Sequence, residues 1–163
     1  MKFLPYENFT ITTRLSSNEI LKRLEDSVEP RKGFQWIRST SSYKPYQGEI
    51  KEAAFSISRI INYRNSFLPQ ISGEIGPGTI KINMHLHPFV LVFVTFWLGS
   101  VGCMFLFMLS QFLMTNNEDI PLIGLIAPLG MFLFGYLLTL GGFKAEARQS
   151  KEFLMELFEA EIR

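Results

Sequence analysis

Two long runs of uncharged and mostly apolar residues dominate the second half of the chain. The first extends from Pro88 to Asn117 and the second from Ile120 to Phe143. About 20 apolar residues cross the hydrocarbon core of a bilayer, and a chain of 163 residues is too short to bury two all-apolar helices in a soluble bundle. The pattern therefore predicts a two-helix transmembrane hairpin, with 88–117 as the first helix and loop and 118–143 as the second helix.

Shorter alternating segments precede the hairpin and are typical of β-strands. The clearest is Thr79–His87, in which apolar and polar residues alternate, as expected for an antiparallel sheet solvated on one side. A first strand is predicted at Phe9–Leu15. Three more strands are predicted at Tyr46–Lys51, Ala54–Tyr63 and Leu68–Ile75.

Two further segments show helical patterns. Ser16 and Glu19 have the spacing of a capping box, and they begin a helix that Pro30 and Gly33 are expected to end. Residues 144–163 carry apolar side chains at helical spacing and predict an amphipathic helix of about five turns. This tail could pack across the sheet or lie on the membrane surface, and its net negative charge favours the sheet.

The predicted fold class is an α+β membrane protein. A small antiparallel sheet with two helices lies in the cytoplasm, and the transmembrane hairpin interrupts it. Residues 1–87 supply the strand, helix and four strands, and residues 144–163 supply the amphipathic helix that packs on the sheet.

Composition and charge agree with this division and predict an orientation. Charged residues make up 19% of the chain, below the roughly 25% of soluble proteins. Residues 1–87 contain 12 Lys and Arg against 8 Asp and Glu, whereas the connecting loop has only acidic charges. Basic residues remain on the cytoplasmic side, and Met1–Thr13 shows no secretory signal. We expect an integral protein of the plasma (inner) membrane with both termini cytoplasmic.

Small residues recur within both predicted membrane helices, where they allow backbones to approach closely. They serve either self-association of several hairpins or packing of the two helices within one chain. The candidates for helix packing are Gly99, Gly102, Cys103, Gly124, Ala127, Gly130 and Gly135.

Basic and aromatic residues of the strand region are the candidates for ligand binding. They could bind a phosphate, a nucleotide, nucleic acid or anionic lipid, although basic residues near a cytoplasmic membrane face also follow from topology alone. With a surplus of only four positive charges, nucleic acid is not expected as a partner. The candidate residues are Arg38, Arg59, Tyr63 and Arg64.

The sequence contains no residue pattern that indicates a catalytic or a metal-binding site. His85 and His87 share one face of a strand, and two ligands do not complete a metal site, so solvated edge residues are the simpler interpretation. Cys103 lies in a predicted membrane helix, and no nucleophile is paired with a base. We expect no enzyme activity, no metal and no cofactor.

These patterns lead to two functional hypotheses. The first is a noncatalytic, membrane-anchored binding or assembly module, whose cytoplasmic domain recognises a partner protein or a small ligand and whose hairpin self-associates as a homo-oligomer in the lipid bilayer. The alternative is an oligomeric membrane-perturbing or channel-like effector that the cytoplasmic domain gates. An enzyme acting on lipid through His85 and His87 is a more distant third hypothesis.

Overall fold

A computed structural model describes residues 3–30, 44–114 and 122–162. Within these ranges the chain is an α+β protein. It divides into two compact units: Met1–His87 with Phe143–Arg163, here called the sheet unit, and Pro88–Gly142, here called the hairpin unit.

The sheet unit is built on one mixed β-sheet. Its strands are β1 Tyr6–Thr12, β2 Val28–Pro30, β3 Tyr46–Lys51, β4 Ala54–Arg59, β5 Pro69–Gly76, β6 Thr79–Leu86 and β7 Glu161–Ile162. They lie in the order β2-β3-β4-β5-β6-β1-β7. The described helices are α1 Ser17–Ser27, α2 Pro88–Met114 and α3 Leu122–Leu157.

The purely antiparallel sheet of the sequence prediction is wrong at one edge. Strand β2 pairs parallel to β3, with Val28 opposite Tyr46 and Pro30 opposite Gly48. All other strand pairs are antiparallel. A three-residue strand is too short to show a period, and Val28 also fits the apolar stripe of the preceding helix. Proline lacks a backbone donor and is tolerated at such an edge.

The first strand begins and ends earlier than its alternating pattern predicted. Strand β1 ends at Thr12 because the chain turns at Thr13, whose hydroxyl donates to the Phe158 carbonyl at 2.6 Å and accepts from the Leu15 amide at 3.1 Å. Thr12, Thr13 and Arg14 are three consecutive polar residues, so the alternation is already broken where the strand ends. The prediction extended the strand too far because Leu15 resumes the apolar positions after this break.

The predicted capping box at the start of α1 is confirmed. The Ser16 hydroxyl accepts from the Glu19 amide, and the Glu19 carboxylate accepts from the Ser16 amide at 2.8 Å. Helix α1 then buries Ile20 and Leu24.

One face of the sheet forms the core, to which β1, β4, β5, β6 and α3 all contribute. Phe55 lies opposite Gly73 across β4 and β5, and its ring occupies the space where a Cβ of Gly73 would stand. The most deeply buried apolar residues include Ile11, Ile71, Ile80, Ile82, Met84, Leu154 and Phe158.

The second apolar run and the amphipathic tail form one helix, α3, rather than two separate elements. The 36 residues from Leu122 to Leu157 are continuous through Pro128. They also continue through Gly141 and Gly142, two weak helix formers at the junction of the two parts. After Leu157 the chain turns at Glu159, which has a φ of 46°, and it ends in β7. The prediction of helix through residue 163 is therefore wrong beyond Leu157.

The hairpin unit contains α2 and the first part of α3, and both helices are long and apolar enough to cross a membrane. A Cβ at Gly102 would lie 3.5 Å from the Phe132 ring, and the Trp97 ring packs onto Gly135. Residue numbers at these contacts increase along one helix as they decrease along the other, so the helices are antiparallel.

Candidate functional site

A buried glutamate on α3 is the centre of a polar cluster. Glu146 is 3% exposed, and it lies beside Phe143, Ala147 and Ser150, which are fully buried against the sheet. A carboxylate in such a position requires partners, because an unpaired buried charge is strongly unfavourable.

Three side chains donate to Glu146 from β4 and from the 60–68 loop that follows it. Arg59 Nη1 donates to Oε2 at 2.9 Å, the Tyr63 hydroxyl donates to Oε1, and Asn65 Nδ2 approaches Oε1 at 3.4 Å. Arg59 also donates to the Gln149 side chain, one turn along α3. We call Arg59, Tyr63, Asn65, Glu146 and Gln149 the Glu146 cluster.

The Glu146 cluster fixes the 60–68 loop against α3. Within the loop, Asn65 Oδ1 accepts from the Phe67 amide at 2.9 Å, which forms a tight local turn. At the start of the loop, the Ile60 amide donates to the Pro45 carbonyl at 2.9 Å. The loop is therefore held at its beginning, in its middle and through its side chains.

The cluster also affects the ionisation of Tyr63. Hydrogen bonding of its hydroxyl to Glu146 raises the Tyr63 pKa above its ordinary value of 10.0, and desolvation adds to the effect. The carboxylate favours the neutral phenol, which can donate, over the phenolate, which cannot. The cluster therefore holds Tyr63 as a hydrogen-bond donor.

The arrangement is suited to positioning rather than to bond chemistry. Both Glu146 oxygens accept from donors, one of them a guanidinium, so the carboxylate is satisfied and is not presented to a substrate. Arg59 retains 29% of its side-chain exposure, and Tyr63 is 50% exposed. The cluster therefore forms a rigid base beneath a surface that keeps basic and aromatic groups accessible.

The structure brings two of the four candidate ligand-binding residues into this cluster. Arg59 and Tyr63 both contact Glu146. Arg64 lies in the same loop, between Tyr63 and Asn65 in the sequence, and its side chain is exposed. Arg38 lies outside the described residues.

Sequence reasoning missed Glu146 itself. The helical pattern of the tail assigned this residue to the polar face, yet it lies three residues after buried Phe143 and directly before buried Ala147. That position, at the edge of the apolar stripe, is the only signal in the sequence. It does not identify partners 81 to 87 positions away in the chain.

Ion pairs and a cation–π contact also join the second part of α3, and Glu159 just after it, to β1 and α1. Lys144 Nζ lies 2.7 Å from Glu7 of β1, and Lys151 Nζ lies 4.6 Å from the centre of the Phe9 ring. Near the helix end, Arg23 of α1 pairs with Glu159 at 2.6 Å and donates to the Leu157 carbonyl at 2.8 Å. Strand β1 and helix α1 therefore both contact the second part of α3 and the residues just after it.

The candidate packing residues of the hairpin unit divide into three groups. Gly102 and Gly135 contact aromatic rings of the opposite helix, as described above. Gly124 and Ala127 line a pocket between the helices. Gly99 and Gly130 have no neighbour that an added Cβ would meet within 4 Å, and Cys103 is exposed.

His85 lies in β6, and His87 follows the end of that strand. His85 Nδ1 lies 2.9 Å from the Leu86 carbonyl. Across residues 3–30, 44–114 and 122–162, no group of three or more His, Cys, Asp or Glu side chains is arranged to hold a metal ion.

Comparison of the chain with protein-family models, with curated proteins and with solved structures finds no match.

Proposed function

We propose that the protein is a noncatalytic, membrane-anchored binding module. The hairpin unit is the anchor, and the sheet unit recognises an anionic partner, either an acidic protein segment or a small ligand, at the 60–68 loop. The observation that carries the proposal is the attachment of this loop to buried Glu146, which presents Arg64 on an ordered base.

A loop that is ordered before binding loses little conformational entropy when a partner docks, so its contacts convert more fully into affinity. The 60–68 loop is attached to Pro45 through Ile60 and to Glu146 through Tyr63 and Asn65. A further hydrogen bond between Asn65 and Phe67 closes a turn within the loop. Its exposed Arg64 can form bidentate hydrogen bonds with a carboxylate or a phosphate.

The anchor is supported by the surface of the two long helices. The first half of α3 and all of α2 expose large apolar side chains, among them Phe89 at 75%, Phe107 at 65% and Phe134 at 67%. A surface this apolar is stable in hydrocarbon and aggregates in water. The excess of basic residues in 1–87 favours the cytoplasmic side for the sheet unit.

Site-directed labelling tests the anchor and its orientation. Cys103→Ala removes the single native thiol, and Glu118→Cys or Ser66→Cys then places one thiol in the interhelical loop or in the sheet unit. We expect a membrane-impermeant maleimide to label position 118 from outside intact cells and position 66 only after lysis. Recovery of the chain in the soluble fraction would refute the anchor, and the reverse labelling would refute the orientation.

A matched pair of arginine variants tests the binding surface. Arg64→Ala removes the exposed charge of the loop, whereas Arg148→Ala removes an exposed arginine of α3 that pairs with Glu152 at 3.0 Å. Chemical crosslinking in cells should give a defined adduct that Arg64→Ala removes and Arg148→Ala retains. Equal loss in both variants would indicate nonspecific charge attraction and would contradict a binding site in this loop.

The channel-like alternative receives less support from the hairpin unit. Hydroxyls that would line a pore instead donate to carbonyls of their own helix: Ser100 to Phe96, Ser110 to Phe107 and Thr139 to Gly135, all at 2.7 to 2.8 Å. These donors are satisfied without a water-filled lumen.

A further inference from the structure

An apolar pocket of about 200 Å³ lies between α2 and α3 in the hairpin unit. Its walls are almost free of polar atoms. An engineered apolar cavity of about 150 Å³ is already large enough to bind benzene. The lining residues are Val101, Met104, Met108, Gly124, Ala127, Pro128 and Met131.

The pocket differs from the other sites where small residues of one helix face the second helix. At Gly102 and Gly135 the chain fills the gap itself, with the rings of Phe132 and Trp97. The described residues that line the pocket beside Gly124 and Ala127 include no aromatic side chain. Among the described residues of the hairpin unit, aromatic rings therefore fill the space at Gly102 and Gly135, whereas the pocket beside Gly124 is not filled in this way.

The chemistry of the walls indicates what fills this gap. Three of the seven lining residues are methionines, whose unbranched side chains adapt to a flexible apolar guest. Met104 and Met131 are 51% and 52% exposed, so the pocket opens onto the outer surface of the hairpin. In a bilayer that surface contacts the acyl chains of the lipids.

We propose that this pocket binds one acyl chain of a membrane lipid. The proposal rests on membrane insertion of the hairpin, as set out under Proposed function. An acyl chain has no charge and no hydrogen-bonding group along its length, which matches the walls. It also restores the van der Waals contacts that an empty gap between the helices would lose.

Photolabelling of the full-length chain in phospholipid nanodiscs tests this site. The probe is phosphatidylcholine with a diazirine in one acyl chain, and labelled peptides are mapped by mass spectrometry. We expect labelling at Met104, Met108 and Met131 to exceed labelling at Phe107 and Leu113, which are exposed on α2 but do not line the pocket.

Two glycine variants on α3 provide the matched comparison. Gly124→Leu fills the pocket and should lower labelling of the three methionines about tenfold, which corresponds to about 1.4 kcal/mol. Gly130→Leu adds the same side chain where nothing lies within 4 Å, and it should leave that labelling unchanged. Ala127→Leu repeats the filling test, and helical circular dichroism verifies that each variant folds.

The possible outcomes distinguish failure of the lipid-binding proposal from failure of the membrane-anchor proposal. Uniform labelling of all exposed apolar residues, with no effect of Gly124→Leu or Ala127→Leu, would overturn the site while leaving the membrane anchor intact. Crosslinks from the pocket to a second copy of the chain, in place of lipid adducts, would overturn it as well. If the anchor itself were wrong, the chain would not enter nanodiscs and position 118 would fail the labelling test.

Discussion

Helix α3 belongs to both units, and the side chains of its two parts have opposite patterns of burial. Residues 123–142 expose eight large apolar side chains, from Ile123 at 66% to Leu138 at 52%. Residues 143–157 expose no large apolar side chain and bury Phe143, Leu154 and the charged Glu146. One regular helix therefore presents apolar groups outward in one unit and inward in the other.

The two units also differ in where their buried polar side chains find hydrogen-bond partners. In the hairpin unit, Thr139 is 5% exposed and donates to the carbonyl of Gly135 within its own helix. In the sheet unit, Glu146 accepts from residues that are far away in the chain. In hydrocarbon, a polar group is most easily satisfied by its own helix, whereas a folded core can provide partners from other elements.

The largest expected effect comes from breaking the Glu146 cluster. Glu146→Ala leaves Tyr63 without its acceptor and leaves Arg59 with Gln149 alone. Removing one partner of a buried ion pair costs about 3–5 kcal/mol, and partial exposure of Arg59 lowers the expected loss to about 2–3 kcal/mol. Urea unfolding of the detergent-solubilised protein, followed by near-ultraviolet circular dichroism, measures it.

The control for that variant is Glu156→Ala, because Glu156 is exposed on the same helix. Its effect should stay within about 0.5 kcal/mol. If the two variants were equally stable, Glu146 would contribute little to the sheet unit. The proposal that Glu146 orders the 60–68 loop before a partner binds would then be contradicted.

The next largest effect tests packing within the hairpin unit. At Gly135 an added Cβ would overlap the Trp97 ring, so Gly135→Ala should destabilise the hairpin by about 1–3 kcal/mol. Gly130→Ala adds a methyl group in open space and should be neutral or stabilising by up to about 1 kcal/mol. Unfolding of both variants in mixed micelles measures the difference, and equal stabilities would contradict close packing at Gly135.

A smaller effect concerns alkaline pH. Because the Tyr63 pKa is raised in the fold, its hydroxyl contributes stability below pH 10, and this contribution is lost as the pH rises through the raised value. Wild-type melting temperature should therefore fall more steeply above pH 10 than that of Tyr63→Phe. Burial also raises the Tyr46 pKa, so some alkaline loss should remain in both proteins.

Tyr6→Phe is the control for removal of a tyrosine hydroxyl elsewhere on the sheet, where the hydroxyl of Tyr6 accepts from Asn83 at 3.1 Å. It should retain the alkaline slope of the wild type. A Tyr63→Phe protein with the wild-type slope would show that the hydrogen bond to Glu146 does not govern the titration.

The smallest effect is expected at the start of α1. Ser16→Ala removes the hydroxyl that caps the helix and should cost about 0.5–1 kcal/mol. Hydrogen bonds from Ser16 lower the Glu19 pKa below 4.5, so the contribution of Glu19 is present above that pH and is lost as the pH falls. Ser17→Ala, at the next position, is the control. Thermal melts at pH 7 and pH 3 separate the contribution of the Ser16 hydroxyl from that of the ionised Glu19 carboxylate.

Much of the local structure could be read from the sequence because its causes are local. The Ser16–Glu19 cap joins residues three positions apart, and the alternation of Thr79–Leu86 sets the faces of β6. Two apolar runs of sufficient length correspond to the two long helices, α2 and α3. Each of these features is visible in a window of a few turns or one strand.

The Glu146 cluster could be predicted only in part. The basic and aromatic character of Arg59, Tyr63 and Arg64 marked the 60–68 loop as a candidate site. The acceptor that organises it lies on α3, more than 80 residues away. Charge and helical spacing do not show which distant side chain a buried carboxylate meets.

The amino-acid sequence by itself determined where the apolar helices lie, where α1 is capped and which strands alternate, because propensity, capping and hydrophobic period act between near neighbours. Only the tertiary structure decided that β2 joins the sheet parallel to β3, that α3 runs unbroken from Leu122 to Leu157, and that Glu146 gathers Arg59, Tyr63 and Asn65. Strand order and buried polar pairing depend on contacts between distant parts of the chain, and these exist only once the whole sheet unit has packed.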